Sequence, residues 1–243
     1  MIDVSIITIC RNSAFTIAKT LESVLTQKEA VFEYIVIDGD STDGTQNIAR
    51  SYDGIDLFIS ESDDGIADAF NKGITKASGD IVGLINADDQ LLPGVLDRVR
   101  NFFADNPDVD VLHGDVLLCA GDCVIKRLRP AGRWWLPWRL VLFNHPATFV
   151  RREVYEKFGL FDLNYRVAMD VEIFLRWSTK GVRIMYLPEM YVSMQTGGLS
   201  GQCAEEGFRE SRCALLHHGF SPFLVHVQFV CKLLVNRILS ICS

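Results

Sequence analysis

An apolar run in the middle of the chain ends in an amide and two adjacent carboxylates. Residues 81–85 are apolar, too few for a helix, interrupted by a glycine and without polar alternation. Such a run is typical of a strand covered on both faces, as in a parallel sheet. It is followed directly by Asn86, Ala87, Asp88 and Asp89. The sequence therefore predicts a buried strand that presents an acidic tip.

The acidic tip predicts a site for a divalent cation. Open α/β sheets place their ligands at the carboxyl ends of the strands. Asp88 and Asp89 would repel each other there, and hard cations such as Mn²⁺ or Mg²⁺ prefer carboxylate oxygens and share phosphate ligands. We therefore expect Asp88 and Asp89 to hold Mn²⁺ or Mg²⁺. The alternative is that both acids begin a turn and cap the helix that starts near Pro93.

Strand and helix patterns alternate along the first part of the chain. The predicted strands cover residues 4–10, 32–37, 56–60 and 81–85, and amphipathic helices separate them. This alternation predicts an α/β fold with a doubly wound, mostly parallel sheet flanked by helices. We expect residues 1–220 to form one domain and residues 221–243 to form a C-terminal amphipathic helix.

Charge and cysteine usage exclude several classes of protein. The net charge of −7 argues against a nucleic-acid binder, which would show a basic face. The seven cysteines form no CxxC pair and no Cys/His spacing suited to zinc, which predicts reduced thiols in a cytoplasmic protein. Asp3 and Ser5 interrupt the N-terminus before any apolar region that suits a signal peptide.

Acidic residues also follow the second predicted strand, from Asp38 to Asp43. No GxGxxG follows the first strand and no GxxxxGK[ST] occurs, so the dinucleotide and P-loop interpretations lose their main support. The acids must recognise the ligand instead. Asp38 is placed to accept a hydrogen bond from a nucleotide base, while Asp88 holds a metal on the diphosphate.

Four motifs together resemble those of family 2 glycosyltransferases with the GT-A fold, over about residues 3–200. They are SIITIC with RNS (5–13), VIDGDSTDGT (36–45), DGIADAFNKG (64–73) and NADD (86–89), in the family's order and spacing. The resemblance implies that Asp38 reads uracil or another base and that Asp88 is the metal-binding acid of a DxD motif. Asn86 replaces the first acid of that motif and contributes no charge, so we expect the metal to be held either more weakly or partly by Asp89.

The resemblance implies a set of further binding residues around this motif. With Asp38, Asn86 and Ala87, the predicted nucleotide and substrate contacts are Thr8, Cys10, Arg11, Asn12, Asp40, Asp64, Asn71, Lys72 and His145. Lys72 has an equally good alternative as a solvated residue on a helix face. A lone histidine such as His145 is more often structural than catalytic, and the resemblance places it near the acceptor or the metal.

Asp170 is the predicted catalytic residue. It opens an amphipathic helix, where an acid is also favoured by capping and by the helix dipole. In inverting members of the family the matching acid is the general base. The QxxRW motif of processive members is absent, and a Gly-Gly-Leu-Ser segment at residues 197–200 stands roughly in its place. This difference favours transfer of a single sugar.

The resemblance implies a metal-dependent glycosyltransferase of bacterial surface-polysaccharide assembly. A UDP-sugar is the favoured donor, with GDP- and dTDP-sugars as alternatives, and the acceptor would be a glycan or a lipid-linked sugar. A sugar nucleotidyltransferase would need a Gly/Lys/Arg-rich phosphate loop after the first strand, which Arg11 alone does not supply. A non-catalytic glycan-binding module is the second alternative.

Two segments suggest contact with a surface. Residues 129–139 combine Trp134, Trp135 and Trp138 with arginines, which favours a sugar platform, a membrane interface or packing on the core. The tail is amphipathic. Its apolar stripe consists of Leu224, Val227, Cys231, Leu234 and Ile238. The opposite, polar stripe consists of Gln228, Lys232 and Asn236. We expect an interfacial helix at the cytoplasmic face of the inner membrane, or a helix that packs on the domain or on a second subunit.

Overall fold

The computed structural model describes residues 2–121, 123–130, 143–196 and 203–241. Its strands are β1 Val4–Cys10, β2 Glu33–Asp38, β3 Leu57–Ser60, β4 Ile81–Asn86, β5 Gln90–Leu91, β6 Val111–Ala120, β7 Cys123–Leu128, β8 Thr148–Arg151 and β9 Ile184–Gln195. Its helices are α1 Ile17–Leu25, α2 Thr45–Arg50, α3 Ile66–Lys76, α4 Val95–Asp105, α5 Arg152–Phe158, α6 Met169–Thr179, α7 Ala204–His217 and α8 Pro222–Ile241. Trp134, Trp135 and Trp138, with the rest of residues 131–139, and residues 197–200 lie outside the described residues.

One mixed sheet organises the molecule. Its strand order is β3-β2-β1-β4-β8-β6-β9-β5, and β7 pairs with β6. The strands β3, β2, β1 and β4 are all parallel, whereas β8 is antiparallel to both β4 and β6. Helices flank this sheet. The predicted α/β fold with a mostly parallel sheet is thereby confirmed.

The two faces of the sheet carry different helices because side chains alternate along each strand. Ile6, Val36 and Ile85 are buried on the face covered by α1 and α4. Ile7, Ile35 and Leu84 are buried on the other face, under α3, α5 and α6. A Cβ at Gly73 of α3 would lie 2.4 Å from the Ile7 side chain, so this glycine lets the helix approach β1 closely.

The second half of the sheet departs from the sequence-based boundaries. The apolar pattern predicts a strand over residues 182–187. The strand β9 begins at Ile184 and continues to Gln195, because Pro188 falls at an irregularity in its pairing with β6 rather than at its end. The pattern of residues 145–150 predicts a second short strand that begins at His145, and this prediction is wrong. Residues His145–Ala147 form a 3₁₀ turn, and β8 begins after it at Thr148. Pro146 lacks the N–H that a ladder requires.

The C-terminal helix α8 turns its polar stripe towards the protein. Gln228 is buried, and Lys232 lies over the ring of Phe208 in α7, with its Nζ 5.4 Å from the centroid. Burial lowers the pKa of Lys232 to about 8. Phe223, Leu224, Val230 and Leu234 are exposed instead. Among the described residues, no helix is both long enough and apolar enough to span a bilayer.

Candidate active site

The sheet brings the carboxyl ends of its parallel strands to one edge. Cys10 at the end of β1 pairs with Asp38 at the end of β2, and Asp38 pairs with Ser60 at the end of β3. Ile9 pairs with Asn86 at the end of β4. The loops that carry the predicted donor-binding residues therefore begin at neighbouring points of the sheet, as ligand sites of open α/β sheets do.

Asp38 ties the loops at this edge together. Its side chain is buried, and its Oδ2 accepts hydrogen bonds from the Ser41 backbone N–H at 3.0 Å and from Ser60 Oγ at 2.7 Å. Its Oδ1 lies 3.5 Å from Cys10 Sγ. Burial and the charge of Asp38 raise the pKa of the Cys10 thiol, so Cys10 stays a neutral neighbour of this acid.

The loop after β1 is fastened to the loop after β2. The backbone N–H of Asn12 donates to Ser41 Oγ at 2.8 Å, and Asn12 Oδ1 accepts from the backbone N–H of Thr42 at 2.9 Å. Asn12 and Asp40 have φ of +50° and +58°. Asn and Asp tolerate this left-handed region better than other non-glycine residues. Asp40 is exposed at the surface of these joined loops.

Asp63 joins this cluster, whereas its neighbour Asp64, whose substrate contact stays a prediction, does not. The Asp63 side chain is 6% exposed, lies 3.9 Å from Arg11 Nη1 and accepts a hydrogen bond from the Gly65 backbone N–H at 3.0 Å. A Cβ at Gly39 would lie 2.2 Å from Asp63 Oδ2, so only glycine permits this approach. Asp64 is exposed. An acid two residues before a glycine is typical of an Asx turn, and that signal distinguishes Asp63 from its neighbour.

Two of the predicted contact residues use their side chains within the protein. Thr8 is buried, and its Oγ1 lies 2.9 Å from Tyr34 Oη. Asn71 donates to the carbonyl of Phe161 and accepts from the backbone N–H of Phe161, both at 2.9 Å. Asn71 therefore fastens α3 to the turn before α6. The predicted substrate contacts of Thr8 and Asn71 stay predictions, and they would compete with these bonds.

Lys72 is held by acids near the end of β3. Its Nζ lies 3.0 Å from Glu61 Oε1 and 3.3 Å from Asp68 Oδ2, and it donates to the carbonyl of Ser62 at 2.7 Å. The two carboxylates offset the positive charge of Lys72, which lies close to the turn at Asp63. Its predicted contact with substrate also stays a prediction.

The acidic tip after β4 separates its two carboxylates. Asn86 Nδ2 donates to Asp89 Oδ2 at 3.0 Å, and the Asp89 backbone N–H donates back to the Asn86 carbonyl at 3.1 Å. Asp89 is 1% exposed, and Ala87 is buried beside it. Burial and the charge of Asp88 raise the pKa of Asp89 to about 8. Asp88 is partly exposed, and burial raises its pKa as well.

The tip fits a cation that is shared with a substrate. Among the described residues, no group of three His, Cys, Asp or Glu side chains is arranged to hold a metal ion. Asp88 offers an accessible carboxylate, and the carboxylate of Asp89 is buried and bonded to Asn86. Mg²⁺ is commonly bound by one or two carboxylates together with substrate phosphates. The donor set fits that pattern through Asp88, and direct ligation by Asp89 stays a prediction.

Asp170 stands at the N-terminus of α6, on the face of the sheet that α3 and α5 also cover. It is partly exposed, and its Oδ1 accepts a hydrogen bond from the Val171 backbone N–H at 2.7 Å. Burial raises the pKa of Asp170 to about 6. A carboxylate with a pKa near neutrality is suited to accept a proton from a substrate.

His145 lies in an aromatic cluster. Its ring centroid is 5.0 Å from that of Phe70 and 6.0 Å from that of Phe161. Its Nε2 is buried and has no hydrogen-bond partner within the described part of the chain. Burial lowers the pKa of His145 to about 4, so the ring is neutral. The prediction that His145 contacts the acceptor or the metal is not tested by this arrangement.

Sequence comparisons identify relatives of this chain. A family model described as "Glycosyl transferase family 2" matches residues 5–158. A "PGL/p-HBAD biosynthesis glycosyltransferase" of Mycobacterium bovis is 31% identical over 213 residues, which cover 84% of this chain and 81% of the relative.

Solved structures share the fold. TarS of S. aureus in complex with UDP-GlcNAc matches with a TM-score of 0.69 at 19% identity, over 95% of this chain and 71% of TarS. The mannosyltransferase PcManGT from Pyrobaculum calidifontis, in complex with GDP-Man and Mn²⁺, matches with a TM-score of 0.63 at 19% identity, over 98% and 77% of the two chains.

Proposed function

The chain belongs to glycosyl transferase family 2 and has the GT-A fold, and from this premise we propose that it transfers one sugar with inversion from a nucleotide-diphosphate sugar to an acceptor hydroxyl. One observation carries the proposal. Acids collect at the neighbouring carboxyl ends of β2, β3 and β4, and Asp170, whose pKa burial raises to about 6, opens a helix against the same sheet.

The donor is bound by the loops after β1, β2 and β3. Asp38 accepts a hydrogen bond from the base, beside the joined loops of Arg11, Asn12 and Asp40. The solved structures of TarS with UDP-GlcNAc and of PcManGT with GDP-Man support a nucleotide-sugar donor. A UDP-sugar is the favoured donor, and GDP- and dTDP-sugars are the alternatives that a donor screen separates.

Asp88 would hold Mn²⁺ or Mg²⁺ beside the donor's diphosphate, with the amide of Asn86 next to it. The cation would supply positive charge against the phosphate charge that develops as the nucleotide leaves. Asp89 keeps the tip in shape through its paired hydrogen bonds with Asn86. The Mn²⁺ in the PcManGT structure supports this assignment.

Asp170 is the general base. A sugar hydroxyl is a weak nucleophile until its proton is being removed, and a carboxylate within hydrogen-bond reach removes it. The Val171 backbone N–H fixes Oδ1 of Asp170, which leaves Oδ2 to receive the proton. The acceptor oxygen then attacks the anomeric carbon from the face opposite the leaving diphosphate. Inversion of configuration follows from that geometry.

The acceptor is a lipid-linked sugar or a glycan, presented at the cytoplasmic face of a bacterial inner membrane. The exposed side chains Phe223, Leu224, Val230 and Leu234 of α8 support this part of the proposal. Apolar side chains on one side of a surface helix are what interfacial binding requires.

A panel of radiolabelled UDP-, GDP- and dTDP-sugars tests the reaction, with Mn²⁺ and with alkyl glycosides as acceptors. We expect labelled glycoside and free nucleoside diphosphate from one class of donor, and a product of inverted anomeric configuration. Release of pyrophosphate would indicate a sugar nucleotidyltransferase instead. Binding of glycosides without any turnover of a donor would indicate a glycan-binding module.

A further inference from the structure

One carboxylate in the C-terminal part of the chain holds the segment that leads into α6. Glu210 of α7 accepts hydrogen bonds from the backbone N–H groups of three successive residues. Its Oε1 receives the N–H of Arg166 at 3.0 Å, and its Oε2 receives those of Val167 and Ala168, both at 2.8 Å. Asp170 follows two residues later. The two partners of this contact are more than forty residues apart in the chain.

These bonds hold the chain immediately before α6, at a helix start that has no capping side chain of its own. The residue that precedes α6 is Ala168, which has no polar side chain to satisfy the free N–H groups of a helix start. Hydrogen bonds to an ionised carboxylate are shorter and stronger than those between neutral groups. A negative charge is also favoured at this end of a helix by its dipole. Glu210 therefore holds the three residues that lead into α6, and it satisfies the N–H of Ala168, the residue directly before the helix.

Other contacts keep α7 in place against α6. His218 Nε2 lies 3.2 Å from Glu172 Oε1, and Glu172 Oε2 is paired with Arg176 Nη2 at 2.7 Å. Ala214 and Leu215 of α7 pack with Val171 and Leu175 of α6 in one buried cluster. Glu210 thus acts from a helix that is fastened to the first turns of α6.

We propose that Glu210 is a positioning residue for glycosyl transfer, which holds residues 166–168 so that the carboxylate of Asp170 meets the acceptor hydroxyl. This inference rests on the proposed function, because it assumes that Asp170 is the base. A misplacement of about 1 Å at a reacting group can reduce the rate by about 10². The matched family region ends at residue 158, so it includes neither Asp170 nor Glu210.

The test replaces Glu210 by glutamine, which keeps the shape but has a single oxygen acceptor and turns an NH₂ group towards a backbone N–H. We expect kcat of Glu210→Gln to fall about 10- to 100-fold, with donor KM within a few-fold. Faster amide exchange at residues 166–168 should accompany this loss. Glu206→Gln is the matched control, because Glu206 lies one turn earlier on α7 and is exposed.

A double variant separates positioning from a general loss of structure. If Glu210 acts through Asp170, Asp170→Asn combined with Glu210→Gln should be no slower than Asp170→Asn alone. If the two losses multiply instead, Glu210 does not act through the base. Should Glu210→Gln unfold at the assay temperature, Glu210→Asp carries the same test, since it keeps the charge at a shorter reach and should lose part of kcat.

The outcomes distinguish this inference from the proposed function. If Glu210→Gln turns over like Glu206→Gln while Asp170→Asn is inactive, the positioning role is overturned and the base assignment stands. If Asp170→Asn is fully active, the base assignment falls and the positioning role falls with it.

Discussion

The two halves of the sheet are built in different ways. In the first half, parallel strands end side by side, and each loop is fastened to the next by contacts near the strand ends, as with Asn12, Ser41 and Asp38. In the second half, β8 runs antiparallel between β4 and β6, and the segment before α6 is held by Glu210 from a later helix. The proposed donor side therefore depends on neighbouring strands, whereas Asp170, the proposed base, depends on distant segments.

The acids of the two halves also differ in how they are held. Asp38 Oδ2 accepts two hydrogen bonds at the first edge, and Asp88 is the accessible carboxylate of the β4 tip. Burial raises the pKa of Asp89 to about 8, but this side chain is only 1% exposed. Asp170 is partly exposed and has a pKa that burial raises to about 6. An acid fixed by hydrogen bonds suits binding, and an accessible acid that titrates near neutrality suits proton transfer. This contrast supports a division between donor binding and acceptor activation.

The largest expected effect comes from Asp88→Asn on the donor side. Without the Asp88 carboxylate, the cation would bind weakly, and the charge of the diphosphate would face the acidic edge of the sheet without compensation. Several kcal/mol of metal-dependent stabilisation would be lost, which corresponds to about 10³-fold or more in turnover. Calorimetry of nucleotide binding in Mn²⁺ and in EDTA measures the change, with exposed Asp105→Asn as the control. Unchanged metal-dependent affinity would show that the cation is bound elsewhere.

A smaller effect is expected from Asp38→Asn. A hydrogen bond to a charged group is worth about 1.5–3 kcal/mol, so nucleotide affinity should fall about 10- to 100-fold. The loss should be equal in Mn²⁺ and in EDTA, because Asp38 reads the base rather than the phosphates. Loss of thermal stability with normal affinity would restrict Asp38 to its bonds with Ser41 and Ser60.

Asn71→Ala should change stability without changing donor affinity. The substitution leaves the N–H and the carbonyl of Phe161 without their side-chain partner, which costs about 1–3 kcal/mol of the free energy of unfolding. Urea unfolding measures this, and exposed Asn47→Ala is the control. If the variant instead binds the donor more weakly and unfolds at the same urea concentration, Asn71 belongs to the donor site.

The smallest effect on turnover in solution is expected from the exposed side of α8. Replacing Phe223 and Leu234 by serine should leave transfer to soluble glycosides unchanged and reduce sedimentation with anionic vesicles, because apolar area is removed. The control replaces Val124 and Ile125, which are exposed on β7. If the α8 variant sediments like the wild type, or the wild type never sediments, the apolar side contacts a protein instead.

Much of the donor half could be predicted from the sequence. Apolar runs, turn residues and acids occur there in order along the chain, and parallel pairing aligns their ends, so Asp38 and the tip at Asn86–Asp89 were expected at one edge. The sequence pattern does not show which side chains point inwards. Asp89 is buried and bonded to Asn86, whereas Asp88 is partly exposed. In the same way, the pattern does not show that Asp63 is buried while Asp64 is exposed. The metal contact of Asp89 and the substrate contact of Asp64 stay predictions.

The second half was less predictable because long-range pairing decides it. β9 owes its length to β6, more than seventy residues earlier, and His145 forms part of a turn because Pro146 follows it. The sequence pattern of α7 predicts that Glu210 is one of several charged side chains that face water, with Glu205, Glu206, Arg209 and Arg212. Nothing in the local pattern of α7 shows that its carboxylate receives the N–H groups before α6.

The division between the halves is tested most directly by the pH dependence of turnover in the wild type and in Asp170→Asn. Protonation of Asp170 removes its capacity to accept a proton, so wild-type kcat should fall about tenfold per pH unit below about pH 6. Asp170→Asn should lack that limb and turn over about 10²- to 10⁴-fold more slowly, with donor affinity within a few-fold of the wild type. An Asp170→Asn variant that keeps both its rate and the limb near pH 6 would contradict the account.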